Sequence, residues 1–192
     1  IRLRKGEAIS NEDVINKIGL PCFIKPSLGG SSFGVSKVKA KEEIQAAIEK
    51  AFDEAEEVVI EAFMEGTELT CGCYKTKLKA EVFPLTEVVS HDEFFDYDAK
   101  YNGKVDEITP ARIPDELAKR VQTVTSAIYD ILECEGIIRI DYIITEGHKI
   151  NLLEVNTTPG MTTTSFIPQQ ISAAKLDIKN VLSEIIENKF TK

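Results

Sequence analysis

The sequence predicts an α+β protein built on antiparallel sheets. Three observations carry that expectation. Short apolar runs of strand length recur from residue 22 to residue 156. Between and after them lie helical stretches, two of which (40–54 and 114–133) place apolar residues at amphipathic spacing. The last two strand-like runs, 137–145 and 149–156, are joined by Glu146-Gly147, a turn short enough to make them a hairpin.

Taken in order, CFIKP (22–26) reads as a strand stopped by proline. A Gly/Ser loop occupies 27–34, and a second strand follows at 34–38. Residues 40–54 form a helix with Ile44, Ala47, Ile48, Ala51 and Phe52 on one side. VVIEAF (58–63) is an apolar strand, and two more strand-like runs lie at 68–75 and 79–85. Residues 90–113 are acidic, aromatic and glycine-punctuated without a period; a long irregular segment in a compact domain is more often functional than idle. Pro114 opens a helix to about Glu133, with Leu117, Val121, Val124, Ile128, Ile131 and Leu132 along one side. After the hairpin comes TTPGMTT, then helices near 166–175 and 178–190.

The 192 residues suffice for one sizeable domain or two small lobes. With 43% hydrophobic and 29% charged residues, the chain is expected to fold as a globule. A net charge of -9 argues against nucleic acid as a partner, because a phosphate-backbone binder presents a basic face. It leaves room for a small anionic ligand held by a few focused cations. No apolar run reaches membrane-spanning length, and no secretory signal opens the chain, so a cytoplasmic location is expected. The chain starts at Ile1, inside the basic stretch IRLRKGE, which reads as the middle of a longer protein. Cys22, Cys71, Cys73 and Cys134 fit reduced cysteines used as small hydrophobes; a metal site would need more help than His91 and His148 offer.

Three stretches carry candidate chemistry. On the hairpin, a Glu146-Gly147 turn pairs Arg139 with Glu154 and Asp141 with Leu152. Arg139, Asp141, Glu154 and Asn156 then share one face, while Ile138, Ile140, Ile143, Leu153 and Val155 mostly turn to a core. Three oxygen donors beside an arginine suit Mg²⁺, which takes one or two carboxylates plus substrate phosphates, and the arginine suits a phosphate or oxyanion. The same spacing suits a solvated face with a cross-strand Arg-Glu pair, and spacing alone does not choose. In KPSLGGSSFG (25–34), Lys25 at a strand end meets a loop of small residues whose N–H groups can close on phosphate, although a plain hairpin loop reads the same. In VIEAFMEGTE (59–68), a strand running out into a loop can offer backbone to an adenine edge, and an acid a few residues later can hold a ribose; apolar-acidic runs of this kind are also common without a ligand.

Together these stretches resemble the ATP-grasp ligases and, within them, the D-alanine:D-alanine ligases. The resemblance rests on FIKPSLGGSSFGVSKV (23–38), IEAFMEGTELT (60–70), FDYDAKYNG (95–103), GIIRIDYI (136–143) and LLEVNTTPGMTTTSFIP (152–168), in the family's order. It implies an ATP-grasp fold of two α+β subdomains gripping ATP between antiparallel sheets: a small lid subdomain over 1–62 and a C-terminal subdomain over 63–192, with 90–113 as a mobile loop. It also implies roles. Lys25 and Lys100 would hold the ATP phosphates, Glu61 the adenine amino group, Phe63 and Met64 the base, and Glu68 the ribose. Asp141, Glu154 and Asn156 would bind two Mg²⁺ (or Mn²⁺). Arg139 and the Gly160 backbone would stabilise the oxyanion, and Ser165 would hold the second D-alanine's carboxylate. Ser31 and Tyr101 would link the glycine loop to the closed lid and help seat the substrates.

The implied reaction joins two D-alanines through an acyl phosphate, for peptidoglycan precursors. In the family, tyrosine at the position of Tyr101 goes with dipeptide rather than D-lactate ester formation. An N-terminal lobe with a catalytic glutamate, and an earlier ATP-contacting lysine, have no counterpart among these residues. The chain is therefore expected to fold, to bind nucleotide weakly and not to turn over alone, with the full-length protein a homodimer and this piece a monomer. Another ATP-grasp carboxylate ligase, including a D-alanine:D-lactate one, or a non-catalytic nucleotide-binding module, remains the alternative.

Overall fold

The computed structural model describes residues 1–28, 33–90 and 105–190, apart from the side chain of Ser90. The expected contributions of Ser31, Lys100 and Tyr101 lie outside the described residues. Contacts divide the chain into two units, one built on Ile1–Met64 and the other on Glu65–Val89 together with the chain from Asp106 onward.

The first unit holds a four-stranded antiparallel sheet of order β1-β4-β2-β3, formed by Arg2–Arg4 (β1), Cys22–Pro26 (β2), Ser36–Val38 (β3) and Glu57–Ala62 (β4). Alternation sends Cys22, Ile24, Val38, Val58 and Ile60 to one face. There they pack with Val14 of helix α1 (Asn11–Lys17) and Ile44, Ala47, Ile48 and Ala51 of helix α2 (Ile44–Glu54). Strand β1 and helix α1 are additions to the sequence reading. The helix had a local signal: Ser10 caps it by accepting from the Asp13 N–H at 3.1 Å, and Ser10-x-x-Asp13 is the spacing of a cap. A short 3₁₀ turn, Lys41–Glu43, occupies the start of the stretch expected as α-helix.

The second unit holds a six-stranded sheet in which β10, β9, β5, β7 and β8 are neighbours and β6 pairs with β5. The strands are Thr67–Lys75 (β5), Ala80–Val82 (β6), Thr86–Ser90 (β7), Val105–Ile108 (β8), Ile137–Thr145 (β9) and Lys149–Asn156 (β10). The expected 79–85 strand is shorter, while β7 and β8 fall where no strand was read. One sheet face (Leu69, Cys71, Cys73, Ile138, Ile140, Tyr142, Ile144) is covered by helix α3 (Asp115–Ile131) through Leu117, Val121 and Tyr129. Cys71 and Cys73 are fully buried there, and burial pushes both thiols up to about 12, so they behave as small hydrophobes. All four cysteines are free thiols.

The opposite face is covered over part of its area. Helices α4 (Phe166–Ala173) and α5 (Ile178–Phe190) set Ile167, Ile171 and Val181 against Tyr74 and Phe83. A single polar residue ties this layer down. Gln170 is fully buried; its Oε1 accepts from the Gly72 N–H at 2.8 Å, and its Nε2 donates to the Thr70 carbonyl at 3.0 Å and to Thr86 Oγ1 at 3.1 Å. The approach requires glycine at 72: a Cβ there would meet Ile167 Cδ1 at 2.5 Å and Gln170 Oε1 at 2.8 Å.

Gln170→Leu keeps the volume but strands buried donors and acceptors on β5 and β7. It is expected to destabilise the second unit by about 2–3 kcal/mol in urea unfolding. A loss below about 0.5 kcal/mol would show that those groups find partners elsewhere.

Candidate functional site

The hairpin β9–β10 positions four of the expected residues, by a register other than the one the turn suggested. The turn takes three residues, Glu146–His148, with Gly147 and His148 both at positive φ (71° and 56°). A bulge between Leu152 and Glu154 then adds one more residue to β10. Asp141 therefore pairs with Glu154 and Arg139 with Asn156, rather than with Leu152 and Glu154. The two single-residue shifts add to two, the period of side-chain alternation, so all four side chains still share one face. Ile143, expected in the core, lies on this face and is half-buried.

The four are linked. Arg139 donates to Asp141 in a fork, Nε to Oδ1 and Nη2 to Oδ2, each at 2.8 Å, and both side chains are mostly buried. Glu154 Oε1 lies 3.7 Å from the same guanidinium, and Asn156 Nδ2 donates to Asp141 Oδ2 at 3.2 Å and to Glu154 Oε1 at 2.9 Å. Burial opposes the charge on Arg139, but the hydrogen bond and charge of Asp141, with Glu154 and Glu107 behind it, leave its pKa raised. Its guanidinium also lies 5.2 Å from the centre of the Phe166 ring.

Two carboxylates within hydrogen-bond reach of one side-chain nitrogen suit a hard cation. Among the described residues no group of three or more His, Cys, Asp or Glu gathers to make a closed metal cage. Two carboxylates, a side-chain amide that can turn its oxygen inward, and phosphate oxygens from a nucleotide are a donor set that fits Mg²⁺ or Mn²⁺. Glu68 of β5 belongs to the same face, in register with Ile143, two positions from Thr70, which is in register with Asp141.

Ser165 and Gly160 come together in the turn before α4. A Cβ on Gly160 would sit 2.9 Å from Ser165 Oγ, so a larger residue there would displace the serine hydroxyl. Ser165 Oγ also accepts from the Thr162 N–H at 3.2 Å and exchanges a hydrogen bond with Thr162 Oγ1 at 2.8 Å. Gln169 secures the turn from below, donating to the Thr164 carbonyl at 3.0 Å and to Glu107 of β8. Because Phe166 follows Ser165, the ring beside Arg139 is the first residue of α4.

In the first unit, Phe23 is in register with Glu61 and Lys25 with Val59, so Phe23, Lys25 and Glu61 share the face away from the core. Lys25 Nζ lies 2.6 Å from Glu61 Oε2. Phe63 follows the strand, its N–H donating to the Pro21 carbonyl at 3.2 Å and its ring centre 6.1 Å from that of Phe23. Met64 is half-buried. The sequence reading missed Lys37, whose Nζ stands 3.9 Å over the Phe63 ring. Alternation along β3 would have placed it, since Lys37 is in register with Phe23.

The chain as a whole is similar to known proteins. A family model described as D-ala D-ala ligase C-terminus matches residues 2–187. A D-alanine–D-alanine ligase of Bacteroides fragilis is 79% identical over 188 residues, covering 98% of this chain and 58% of that protein. One of Phocaeicola vulgatus is 73% identical over the same shares. The chain thus spans a little over half the length of these relatives. Among solved structures, the VanG D-Ala:D-Ser ligase of Enterococcus faecalis superposes with a TM-score of 0.85 at 34% identity, over 98% of this chain and 55% of that one. The D-alanine–D-alanine ligase of Bacillus anthracis complexed with ATP gives 0.79 at 32% identity, over 99% and 59%.

The shared carboxylate cluster makes a stability test available. Arg139→Gln removes the fork and leaves two carboxylates facing each other, and is expected to cost about 1–3 kcal/mol in urea unfolding. Added Mg²⁺ should recover more of that stability in the variant than it adds to the parent chain, since a cation offsets the repulsion that the guanidinium offset. Equal responses to Mg²⁺ would mean that Asp141 and Glu154 do not act together on a metal.

Proposed function

The chain belongs to the D-alanine–D-alanine ligase C-terminal family, with the ATP-grasp fold, and on that footing we propose that the protein carrying it ligates two D-alanines to D-alanyl-D-alanine with conversion of ATP to ADP and phosphate. The observation that carries the reading is the single face of β9–β10 on which Arg139, Asp141, Glu154 and Asn156 are linked, with the Gly160–Ser165 turn reached through Phe166. In this reading one D-alanine carboxylate attacks the γ-phosphorus of ATP, and the bond to the bridging oxygen breaks to release ADP. The amine of the second D-alanine then attacks the acyl phosphate carbonyl, loses a proton, and phosphate departs. Two Mg²⁺ or Mn²⁺ ions, when bound, supply positive charge against the phosphoryl oxygens.

The chain's own residues divide the remaining work. Asp141, Glu154 and Asn156 hold the cations. Arg139, a pre-placed and mostly buried guanidinium, and the Gly160 N–H take the developing oxyanion. Ser165 donates its hydroxyl to the acceptor's carboxylate from the start of α4. Lys25 and Lys100 meet the phosphates, Glu61 the adenine amino group, Phe63 and Met64 the base, and Glu68 the ribose. Lys25 and Glu61 satisfy each other, so nucleotide would have to exchange that ion pair for two contacts of its own. Ser31 and Tyr101 would seat the substrates, and closure over them would keep water from the acyl phosphate.

On the same reading, the product would serve peptidoglycan precursor synthesis in the cytoplasm, and the whole protein would be a homodimer. Among the described residues no helix is long and apolar enough to cross a membrane. The likeness to a D-Ala:D-Ser ligase supports a second reading, in which the acceptor is D-serine.

ADP release by the full-length protein, measured with D-alanine alone and with D-serine or D-lactate as acceptor, separates these readings. D-alanine alone should support turnover, and Glu154→Gln and Asn156→Ala should each reduce it at least about 100-fold. Full turnover in both variants would remove Glu154 and Asn156 from the catalytic machinery, and no D-alanine-dependent ADP release from the parent protein would replace the ligase with a nucleotide-binding module whose hairpin is structural.

A further inference from the structure

Thr70 stands out among the buried groups of the second sheet. It is 2% exposed, and its Oγ1 is the one described buried side-chain atom without a hydrogen-bond partner. Leaving a hydroxyl in that state is unfavourable, and valine would fill the same volume without it. Its position gives the reason for a hydroxyl. Thr70 is directly in register with Asp141 on β9 and with Thr86 on β7, so it shares a face with both. Thr86 Oγ1 is already engaged by Gln170 Nε2 and Thr109 Oγ1. Asp141 has both oxygens turned to Arg139 and Asn156. Directly opposed residues of an antiparallel pair hold their Cβ atoms about 4.5–5.5 Å apart, a separation that a threonine hydroxyl and an aspartate oxygen can bridge once the carboxylate turns.

We propose that Thr70 is a positioning residue for the metal site: its hydroxyl donates to the Asp141 carboxylate in the cation-bound arrangement and fixes the oxygen that faces the metal. The inference rests on the reading of Asp141, Glu154 and Asn156 as metal ligands. It explains why the partnerless hydroxyl is tolerated. Asp141 exchanges the Arg139 fork for a cation, one of its oxygens swings toward β5, and the hydroxyl that waited there is satisfied. Groups that orient a metal-ligating carboxylate affect metal affinity without touching the metal.

The test uses the full-length protein, Mn²⁺ and a non-hydrolysable ATP analogue, with binding read by water-proton relaxation enhancement and melting read separately without metal or nucleotide. Thr70→Val should melt no lower than the parent without ligand, because it removes an unsatisfied hydroxyl, yet bind the Mn²⁺–nucleotide complex about ten-fold more weakly. Thr70→Ser, which restores the hydroxyl, should return the affinity. A purely structural threonine predicts otherwise, with melting altered in Thr70→Val and Mn²⁺ affinity unchanged; that result overturns the proposal. Equal weakening in Thr70→Val and Thr70→Ser also overturns it, since the hydroxyl that serine keeps would then not be what sets the affinity. If the full-length parent gives no enhancement, the metal reading of the hairpin falls and this inference with it; if the parent and Thr70→Val bind alike while Glu154→Gln does not bind, only the role of Thr70 falls.

Discussion

The second unit depends on one buried amide. Gln170 connects α4 to two strands at once, and it does so because β5 carries glycine where any larger residue would push the helix away. The consequence is a sheet face divided into two regions. Where α4 and α5 lie, Tyr74, Phe83, Ile167, Ile171 and Val181 form a dry core. Beyond the start of α4 the same face carries Arg139, Asp141, Glu154 and Asn156. The helix start, held in place by Gln170, thereby sets Phe166 beside Arg139 and Ser165 against Gly160.

Charge in this second region is organised around a deficit of cations. Asp141, Glu154 and Glu107 all bear on a single arginine, in a chain whose net charge is already -9. A surface cluster of this kind would be screened and weak. Here Arg139 and Asp141 are mostly withdrawn from water, so their interaction is stronger and any cation that joins them meets a field already oriented. The first unit shows a smaller version of this pattern, with Lys25 and Glu61 neutralising each other on the exposed face of its sheet.

Much of this was legible from residue order, and the parts that were not have specific causes. The hairpin strands were placed to the residue, because nine and eight residues of alternating pattern leave little freedom. Their pairing was not, because a turn containing Gly147 and His148 at positive φ and a bulge at Leu153 depend on backbone conformations that composition only hints at. The shared face survived that error through parity alone. Helix α1 was missed although Ser10 and Asp13 advertise its cap, since seven residues carry too little period to register. Strands β7 and β8 were missed because their partners lie far along the chain and their own sequences, TEVVS and VDEI, are too short to alternate convincingly. Thr70 and Gln170 had no sequence signal: a buried hydroxyl and a buried amide are defined by what surrounds them.

The bulge in β10 has a bearing on how this hairpin can vary. Two one-residue irregularities, one in the turn and one at the bulge, leave the four site residues together because they cancel in alternation. Gain or loss of one residue at either place would turn every β10 side chain beyond it over, sending Glu154 and Asn156 toward α3 and Val155 into solvent. Paired changes would leave the site intact. Length variation in this hairpin is therefore quantised: descendants of such a chain should differ there by even steps, or by compensated odd ones, whatever else drifts in the residues themselves.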